Sequence, residues 1–371
     1  MGDPSRPDWT GRLLRTNQDR EQAGLRAFVV TAQPNIAYLC GFTGTAGVLV
    51  ISPRETTLVV DGRYESSARA EIRAGRMAPV AIEQVRGRYD AVLAVVVDRI
   101  RAREVGFEAE HVSVATLGGW QRASPATTWT PTERLVERHR ALKDPAEIAV
   151  LRRAGRALSD IARHLGEWTS EGRTEREVAR AIDAAIERAG FAGPAFPTIV
   201  AAGPNSALPH ARPTDRPLAK GDLVMLDFGG RLDGYCGDLT RMAAVGQVGA
   251  QARSLFEAVR EAQAAAIAAV RPGQMASAVD AAARDVLEGC GLAEAVLHAT
   301  GHGLGLELHE APRIARPDPN NADRLEAGMV CTIEPGAYVE GLGGVRLEDD
   351  VLVTAEGCEV LTDAPRDLVV V

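Results

Sequence analysis

The segment VMLDFGGRLDGYCGDLTRMAAV, residues 224–245, places two β-rich runs on either side of an Asp-Gly pair. An Asp-Gly pair in this setting is typical of the turn of a β-hairpin. If Leu232 and Asp233 form the two-residue loop, Asp227 and Asp238 are opposed across the ladder, with Cβ atoms about 5 Å apart on one face. Two carboxylates this close repel each other unless a cation lies between them. Taken by itself, such an acidic pair is more often a solvated surface pair than a cation site.

A second segment of the chain repeats this pattern. In TIEPGAYVEGLGGVRLEDDVLV, residues 332–353, a Gly-rich loop is centred on Gly341. This loop would place Glu334 opposite Glu348 if no bulge intervenes. Two hairpins, each with an acidic pair, favour a cation site over two unrelated surface pairs.

The two acidic runs belong to a longer internal similarity. The run GDLVMLDFG (221–229) aligns with GMVCTIEPG (328–336), and this superposes Asp227 on Glu334. The helical segments before them match in the same order. For these helices alone, chance resemblance between Ala- and Glu-rich sequences explains the match about as well as a duplication does. The matched positions in the helical segments are Gly172, Val178, Ile186 and Gly190 with Gly273, Val279, Leu287 and Gly291. An internal duplication predicts two half-sites, one acidic strand in each, facing one cleft.

Three of the seven histidines lie between the hairpins, in HATGHGLGLELHEAP, residues 298–312. A lone histidine is usually structural or exposed, but glycine on both sides of His302 allows the backbone to approach a ligand closely. Four carboxylates and one imidazole form an oxygen-rich donor set suited to Mn²⁺, Fe²⁺, Co²⁺ or Zn²⁺, and four negative charges match two divalent ions. Two ions about 3.5 to 4 Å apart activate water and polarise a carbonyl. The sequence therefore predicts a dinuclear hydrolase.

The chain divides into two parts near residue 140. From about residue 25 to 110, β-branched runs alternate with helical segments, which predicts an α/β N-terminal domain over residues 1–140. The predicted strands include AFVVTA (27–32), GVLVIS (47–52), TTLVVD (56–61) and AVLAVVV (91–97). At LKDPAEI, Asp144 can cap a helix that begins at Pro145, with Glu147 completing a capping box. The remaining residues, 141–371, predict an α+β domain with helices at about 145–165, 174–189, 250–270 and 275–289.

Composition argues against several classes of protein. The 371 residues are 46% apolar and 25% charged, as in ordinary globular proteins, and no apolar run is long enough for a membrane helix. With 42 Lys+Arg against 50 Asp+Glu, the net charge of −8 argues against general nucleic-acid binding. Five widely spaced cysteines without a CxxC pair predict reduced thiols. The N-terminal MGDPSRPDWT lacks the apolar run of a secretory signal, so a cytoplasmic location is expected.

These residues resemble the pita-bread metallopeptidases, and among them the Xaa-Pro peptidases aminopeptidase P and prolidase, which carry a creatinase-like N-terminal domain. The likeness covers nearly the whole chain. The motifs that carry it are NIAYLCGFTGTAG, TLVVDGRYESSA, LKDPAEI, GDLVMLDFGGRLDGYCGDLTR, HATGHGLGLELHE, IEPGAY and GGVRLEDDV. The resemblance implies an α/β creatinase-like domain over 1–140 and an α+β pita-bread domain with an internal pseudo-twofold repeat over 141–371.

The resemblance also implies roles for individual residues. The five metal ligands would be Asp227, Asp238, His302, Glu334 and Glu348, with Asp238 and Glu348 bridging both ions. Glu334 would also move a proton between the nucleophile and the leaving nitrogen. His210 would contact substrate, His309 would donate to the scissile carbonyl or the oxyanion, and Arg346 would support these groups. His298 would line the proline pocket, although for His298 and Arg346 a packing or pairing role is equally compatible with the sequence.

Several functions fit this resemblance. An Xaa-Pro aminopeptidase is favoured, because the NIAYLCGFTGTAG run contains no charged residue that would bind the terminus of a dipeptide. Prolidase is the alternative, followed by a hydrolase of non-peptide amides and a non-catalytic binding member of the fold. A methionine aminopeptidase would lack the large N-terminal domain, and a creatinase would lack the five-ligand set. The resemblance further implies Xaa-Pro peptides as substrates, a homodimer, and two metal ions, with manganese favoured and zinc, cobalt or iron as alternatives.

Overall fold

A computed structural model of the protein describes residues 7–318 and 323–371. The chain divides into two compact units, Met1–Arg140 and Ala141–Val371. Residues 1–6 of the predicted N-terminal domain lie outside the described residues. They include part of the N-terminal segment from which the sequence argues against a secretory signal.

The first unit is built on one mixed six-stranded sheet with the strand order β4-β3-β2-β1-β5-β6. Its elements are α1 (Trp9–Gln22), β1 (Ala27–Val30), α2 (Gln33–Cys40), β2 (Val48–Ile51), β3 (Thr56–Asp61), α3 (Glu65–Arg73), β4 (Ala81–Val85), α4 (Tyr89–Arg99), β5 (Glu104–Glu108), α5 (Val114–Ala123), β6 (Thr128–Thr132) and α6 (Glu137–Ala141). The β1–β2 and β2–β3 pairs are antiparallel, and the other pairs are parallel. This confirms the predicted α/β class of the N-terminal part.

One predicted strand of this unit is wrong. The run AVLAVVV (91–97) lies inside helix α4. Leu93, Val96 and Val97 are buried while Val95 is 61% exposed, which is the spacing of one helix face rather than the alternation of a strand. β-branched composition was a weak guide here, because burial against the sheet decides the structure of such a segment.

The described residues of the second unit form three sheets flanked by helices. Its elements are α7 (Pro145–Arg163), α8 (Leu165–Trp168), α9 (Glu175–Arg188), β7 (Ile199–Ala202), β8 (Leu223–Leu232), β9 (Tyr235–Ala244), α10 (Ala250–Ala269), α11 (Ala276–Gly289), β10 (Gly301–Gly303), β11 (Glu310–Ile314), β12 (Val330–Ile333), β13 (Gly336–Val339), β14 (Gly343–Arg346), β15 (Asp349–Val353), β16 (Cys358–Val360) and β17 (Val369–Val370). The sheet orders are β17-β9-β8-β7, β11-β10-β12-β15-β16 and β13-β14. Helices α7 and α9 pack on the first of these sheets, and α10 and α11 share a core with residues of all three. The predicted capping box of Asp144 and Glu147 begins α7.

The internal repeat is visible in the backbone of the second unit. Helix α9 begins at Glu175 and helix α11 at Ala276, the residue that the sequence alignment places at the equivalent position. Backbone contacts just before these helices occur twice. The matched contacts are the hydrogen bonds from Gly172 N to Leu218 O (2.9 Å) and from Gly273 N to Leu325 O (2.7 Å), and the bridges Thr174–Pro217 and Met275–Arg324. The predicted repeat is therefore confirmed as a repeat of structure.

Strands β8 and β9 form the predicted hairpin with a different loop. Leu232 pairs with Tyr235, so the loop is Asp233–Gly234 and not Leu232–Asp233. Both loop residues have positive φ, +48° and +89°. A turn of this kind needs positive φ at both central residues, which Asp and Gly adopt far more readily than Leu.

Two predictions from composition can also be compared with the structure. The five cysteines are free thiols, of which Cys40, Cys236 and Cys331 are buried. Among the helices formed by residues 7–318 and 323–371, none combines the length and the apolarity that crossing a bilayer requires.

Candidate metal centre

The five predicted ligand residues come from separate elements of the second unit. Asp227 lies in β8, Asp238 in β9, His302 in β10, Glu334 just after β12, and Glu348 between β14 and β15. His302 Nε2 lies 3.4 Å from Glu334 Oε1 and 4.0 Å from Asp238 Oδ2. Ligand atoms of Asp238, His302 and Glu348 lie within 4.8 Å of one another. This spacing is compatible with donors that share a cation.

The first acidic pair is diagonal rather than directly opposed. Asp227 lies opposite Thr240, and Asp238 lies opposite Gly229, so the predicted Asp227–Asp238 pairing is wrong by two residues. Because the side chains of a strand alternate, Asp227 and Asp238 still lie on the same face of the hairpin. The correction leaves the inference of a shared face unchanged and increases the expected separation of the two carboxylates.

The second acidic pair has the predicted register. β12 pairs with β15 through Ile333–Asp349, and β13 pairs with β14 through Gly336–Arg346. The two ladders have the same register, which places Glu334 opposite Glu348. Glu334 and Glu348 themselves lie in the gap between the ladders. Glu334 N donates to Thr300 O (2.7 Å), and Glu348 N donates to Thr240 O (3.3 Å). Because the ladder is interrupted, the backbone N–H of Glu334 is free to bond to the segment before His302, and that of Glu348 to the strand that contains Asp238.

In three carboxylates of the site, one buried oxygen has no hydrogen-bond donor among the described residues. Within residues 7–318 and 323–371, none reaches the buried Oδ1 of Asp227, Oδ1 of Asp238 or Oε1 of Glu348. Burial, followed by the charges of neighbouring acids, raises the pKa of Asp238 and of Glu348 well above the usual range. Burial also raises the pKa of Glu334. Buried acids without partners are costly, and a divalent cation supplies the charge and coordination that they lack, so this donor set fits a metal.

His302 is held in an orientation suited to a metal ligand. Its Nδ1 lies 3.0 Å from Gly303 O, and a proton on Nδ1 leaves Nε2 unprotonated toward Asp238 and Glu334. Burial lowers the pKa of His302, which favours the neutral imidazole. A ligand histidine ordinarily donates its second ring N–H to such an outer partner.

Arg346 is a buried cation at one edge of the site. Its Nη2 donates to Asp227 Oδ2, and its Nη1 donates to the hydroxyl of Tyr338 (2.6 Å) and to Pro209 O (3.2 Å). Its Nε lies 3.4 Å from Thr240 Oγ1. The guanidinium thus compensates Asp227 and connects three segments that border the site.

The other predicted histidines lie around this centre. The His309 ring centroid lies 4.2 Å from that of His302, in an edge-to-face arrangement, and His309 is exposed. Partial burial, with the charges of His302 and His210, lowers the pKa of His309. His298 Nε2 lies 2.7 Å from the Tyr338 hydroxyl, and His210 is exposed on the segment before β8. His298 is thereby tied to Arg346 through one shared hydroxyl.

Sequence reasoning missed three side chains that support the site. Thr240 donates to Glu348 Oε2 (2.7 Å), and Tyr338 bonds to both Arg346 and His298. Asp350 accepts the backbone N–H of Asp238 (3.1 Å). The hairpin register would have identified Thr240 as the residue opposite Asp227, whereas the contacts of Tyr338 and Asp350 join distant strands and carry no local sequence signal.

Comparison with known families assigns both parts of the chain. Residues 149–355 match the model of metallopeptidase family M24, and residues 12–142 match that of the creatinase/prolidase N-terminal domain. These two matches correspond to the pita-bread and creatinase-like domains that the motifs predict.

Similar proteins cover nearly the full length of the chain. An Xaa-Pro dipeptidase from Pyrococcus furiosus is 33% identical over 345 residues, covering 92% of this chain and 94% of that protein. A solved structure of an Xaa-Pro dipeptidase from Bacillus anthracis has a TM-score of 0.93 at 33% identity, covering 98% of this chain and all of the other. An X-Pro aminopeptidase from Thermotoga maritima has a TM-score of 0.86 at 30% identity, covering 96% of this chain and all of the other. The chain therefore belongs to metallopeptidase family M24, with a creatinase/prolidase N-terminal domain preceding the peptidase domain.

Proposed function

We propose that the protein is an Xaa-Pro dipeptidase, or prolidase, whose peptidase domain binds two divalent metal ions. The observation that carries the proposal is the cluster of Asp238, His302 and Glu348, with Glu334 Oε1 3.4 Å from His302 Nε2, in a chain of this family. Within the described residues, buried oxygens of the site carboxylates have no donor. The ligands would be Asp227, Asp238, His302, Glu334 and Glu348. The domains would be residues 1–140 and 141–371. Manganese as the metal, a homodimer and a cytoplasmic location stay predictions from the sequence.

The choice of dipeptidase differs from the preference drawn from the sequence. That preference depended on the absence of charge in one N-terminal run, which is weak because a terminus can be bound by residues from elsewhere in the fold. The Xaa-Pro dipeptidases of P. furiosus and B. anthracis support the prolidase alternative better. The X-Pro aminopeptidase of T. maritima keeps the aminopeptidase as the second candidate.

The chain's own residues have distinct roles in this proposal. Divalent ions bound by the five ligands would supply activated water and polarise the scissile carbonyl. Glu334, beside His302, would carry a proton toward the leaving proline nitrogen. His309 would donate a hydrogen bond to the developing oxyanion, while His210 and His298 would orient the substrate. Arg346 would hold Asp227 in place.

An Xaa-Pro bond suits such a site for a chemical reason. Its nitrogen belongs to a tertiary amide and has no N–H to donate. Proteases that hold the scissile N–H by a hydrogen bond therefore lose that contact, whereas a site that acts on the carbonyl and protonates the nitrogen does not need it.

The substrate assignment can be tested with matched peptides. We expect Mn²⁺-loaded protein to cleave Ala-Pro with a kcat/KM about 10- to 100-fold above that for Ala-Pro-Ala and for Ala-Pro amide, because both lack the carboxylate at proline. Release of alanine measures the rate. Efficient cleavage of the tripeptide would identify an aminopeptidase instead, and cleavage of neither peptide by metal-loaded protein would contradict both assignments.

Metal binding should appear as a pH-dependent thermal shift. The pKa values of Asp238 and Glu348 are raised in the folded protein, so these acids favour folding of the metal-free protein at low pH, and this contribution is lost as pH rises through the raised pKa values. Metal binding requires the ionised acids, so stabilisation by Mn²⁺ should grow as the pH rises. At about 100 times Kd the stabilisation is about 2.7 kcal/mol, a shift in Tm of roughly 5–10 °C at pH 8. Calorimetry at pH 5.5 and pH 8, with and without Mn²⁺, measures it.

A single variant gives this experiment its control. Asp238→Asn removes one of the repelling charges, so the metal-free variant should melt above metal-free wild type at pH 8 and gain little from Mn²⁺. A full Mn²⁺ shift in Asp238→Asn, or a shift in wild type that does not depend on pH, would show that the metal binds elsewhere.

A further inference from the structure

His210 lies in the long connection between β7 and β8. The first part of this connection, residues 203–214, begins and ends beside the N-terminus of helix α9. It leaves β7 at Ala202, forms a 3₁₀ turn over Gly203–Ala207, passes His210 and returns at Thr214. Near its middle it bonds to the site, because Gly344 N donates to Ser206 Oγ (2.8 Å) and Arg346 donates to Pro209 O (3.2 Å). We call residues 203–214 the His210 loop.

Glu175, the first residue of α9, bonds to Ala202, which directly precedes the His210 loop, and to Thr214, the last residue of the loop. Its side chain is fully buried. Oε1 accepts the N–H of Ala202 (2.8 Å), and Oε2 accepts the N–H (2.9 Å) and the hydroxyl (2.6 Å) of Thr214. Asn205 Nδ2 donates to both oxygens, at 3.0 and 3.2 Å. Arg216 is a cation near Glu175, but its guanidinium is paired with Asp222, at 2.7 Å.

The internal repeat shows that the fold of the helix terminus does not require this acid. Glu175 N donates to Arg216 O (3.1 Å), and at the equivalent position Ala276 N donates to Asp323 O (2.9 Å). The backbone contact is therefore present in both halves, but alanine has no side chain that could reach a loop. The carboxylate is an addition in the half that contains His210.

We propose that Glu175 is a positioning residue that holds His210 at the substrate-binding side of the site. The inference depends on the proposed function, because it assigns Glu175 a role through a histidine that contacts substrate. A buried carboxylate that accepts bonds from both ends of a loop fixes the loop's span, and Arg346 and Gly344 then fix its approach to the metal ligands.

The isosteric variant Glu175→Gln tests the contact directly. The groups that bond to Glu175 are all donors, and the N–H groups of Ala202 and Thr214 cannot reverse their polarity. The amide nitrogen of glutamine must face one of them, so one end of the loop loses its acceptor. Hydrogen exchange of a peptide covering residues 202–214 should become about tenfold faster, with the β8–β9 hairpin unchanged. Glu177→Gln is the matched control, because Glu177 is exposed and closes only the capping box of Thr174, which glutamine also closes.

Kinetics then show whether Glu175 acts through His210. We expect Glu175→Gln to lower kcat/KM for the dipeptide about tenfold. The loss should be divided between kcat and KM in the same proportion as in His210→Ala. In a protein that already carries His210→Ala, adding Glu175→Gln should cause little further loss of kcat/KM. Thr214→Val, which removes one donor, should give a smaller change in the same direction and serves if Glu175→Gln folds poorly. Unchanged exchange, or full additivity with His210→Ala, would overturn the proposal. Inactive wild type with the expected exchange result would instead contradict the proposed function and leave the loop contact standing.

Discussion

Replacing Glu334 with glutamine should lower kcat for the dipeptide by about 10²- to 10⁴-fold, the usual contribution of a group that transfers a proton in the reaction. Glu334 lies 3.4 Å from His302 Nε2, accepts a weak bond from Thr332 Oγ1 (3.3 Å), and is held by a backbone bond to Thr300. Glutamine keeps the size and one oxygen of the side chain but cannot take up or release a proton. The variant should therefore retain most of its structure while losing turnover.

The comparison of Glu334→Gln with Glu334→Ala separates two roles. If Glu334 is both ligand and proton carrier, the alanine variant should lose turnover and also bind Mn²⁺ more weakly, as titration calorimetry of the metal would show. Glu340→Gln is the matched control, because Glu340 lies in the exposed loop of the same hairpin region. Activity of Glu334→Gln within tenfold of wild type would remove Glu334 from the proposed mechanism.

Local sequence chemistry predicted much of the peptidase domain. The capping box at Asp144, the helices α7 and α9–α11, and the register that faces Glu334 to Glu348 follow from patterns within about twenty residues of chain. The first hairpin shows the limit of the approach. The Asp-Gly pair predicts a hairpin, but a loop at Leu232–Asp233 is one residue too early, because the positive φ of Asp233 and Gly234 sets the register.

The parts that could not be predicted are contacts between distant segments. Arg346 reaches Asp227 across the two halves of the domain, and Tyr338 joins that guanidinium to His298. Glu175 looks like an ordinary first-turn acid in a capping sequence until its partners at Ala202 and Thr214 are known. Each of these depends on how the two halves of the repeat pack, and no periodicity in the chain reports that packing.

Replacing His309 with alanine should lower kcat by about 10²- to 10³-fold with the metals retained, the effect expected from removing one oxyanion donor. His309 is an exposed residue of the segment between β10 and β11, and its ring lies edge-to-face with that of His302, with centroids 4.2 Å apart. Its pKa is lowered by partial burial and by the charges of His302 and His210, so at neutral pH the ring is uncharged and still has one N–H to donate. His302 should keep its orientation without His309, because its Nδ1 bonds to Gly303 O.

The design of the His309 experiment distinguishes a donor from a packing residue. His309→Gln retains an N–H donor and should recover part of the lost kcat, whereas His309→Leu fills the space and should not. His164→Ala provides the control, since His164 is a surface histidine of the same domain that pairs with Glu167. The Mn²⁺-induced shift in Tm should match wild type in all four variants. A loss below tenfold in His309→Ala, or equal recovery by leucine and glutamine, would make the contact with His302 structural, and stabilisation of the oxyanion would then fall to the other groups of the site.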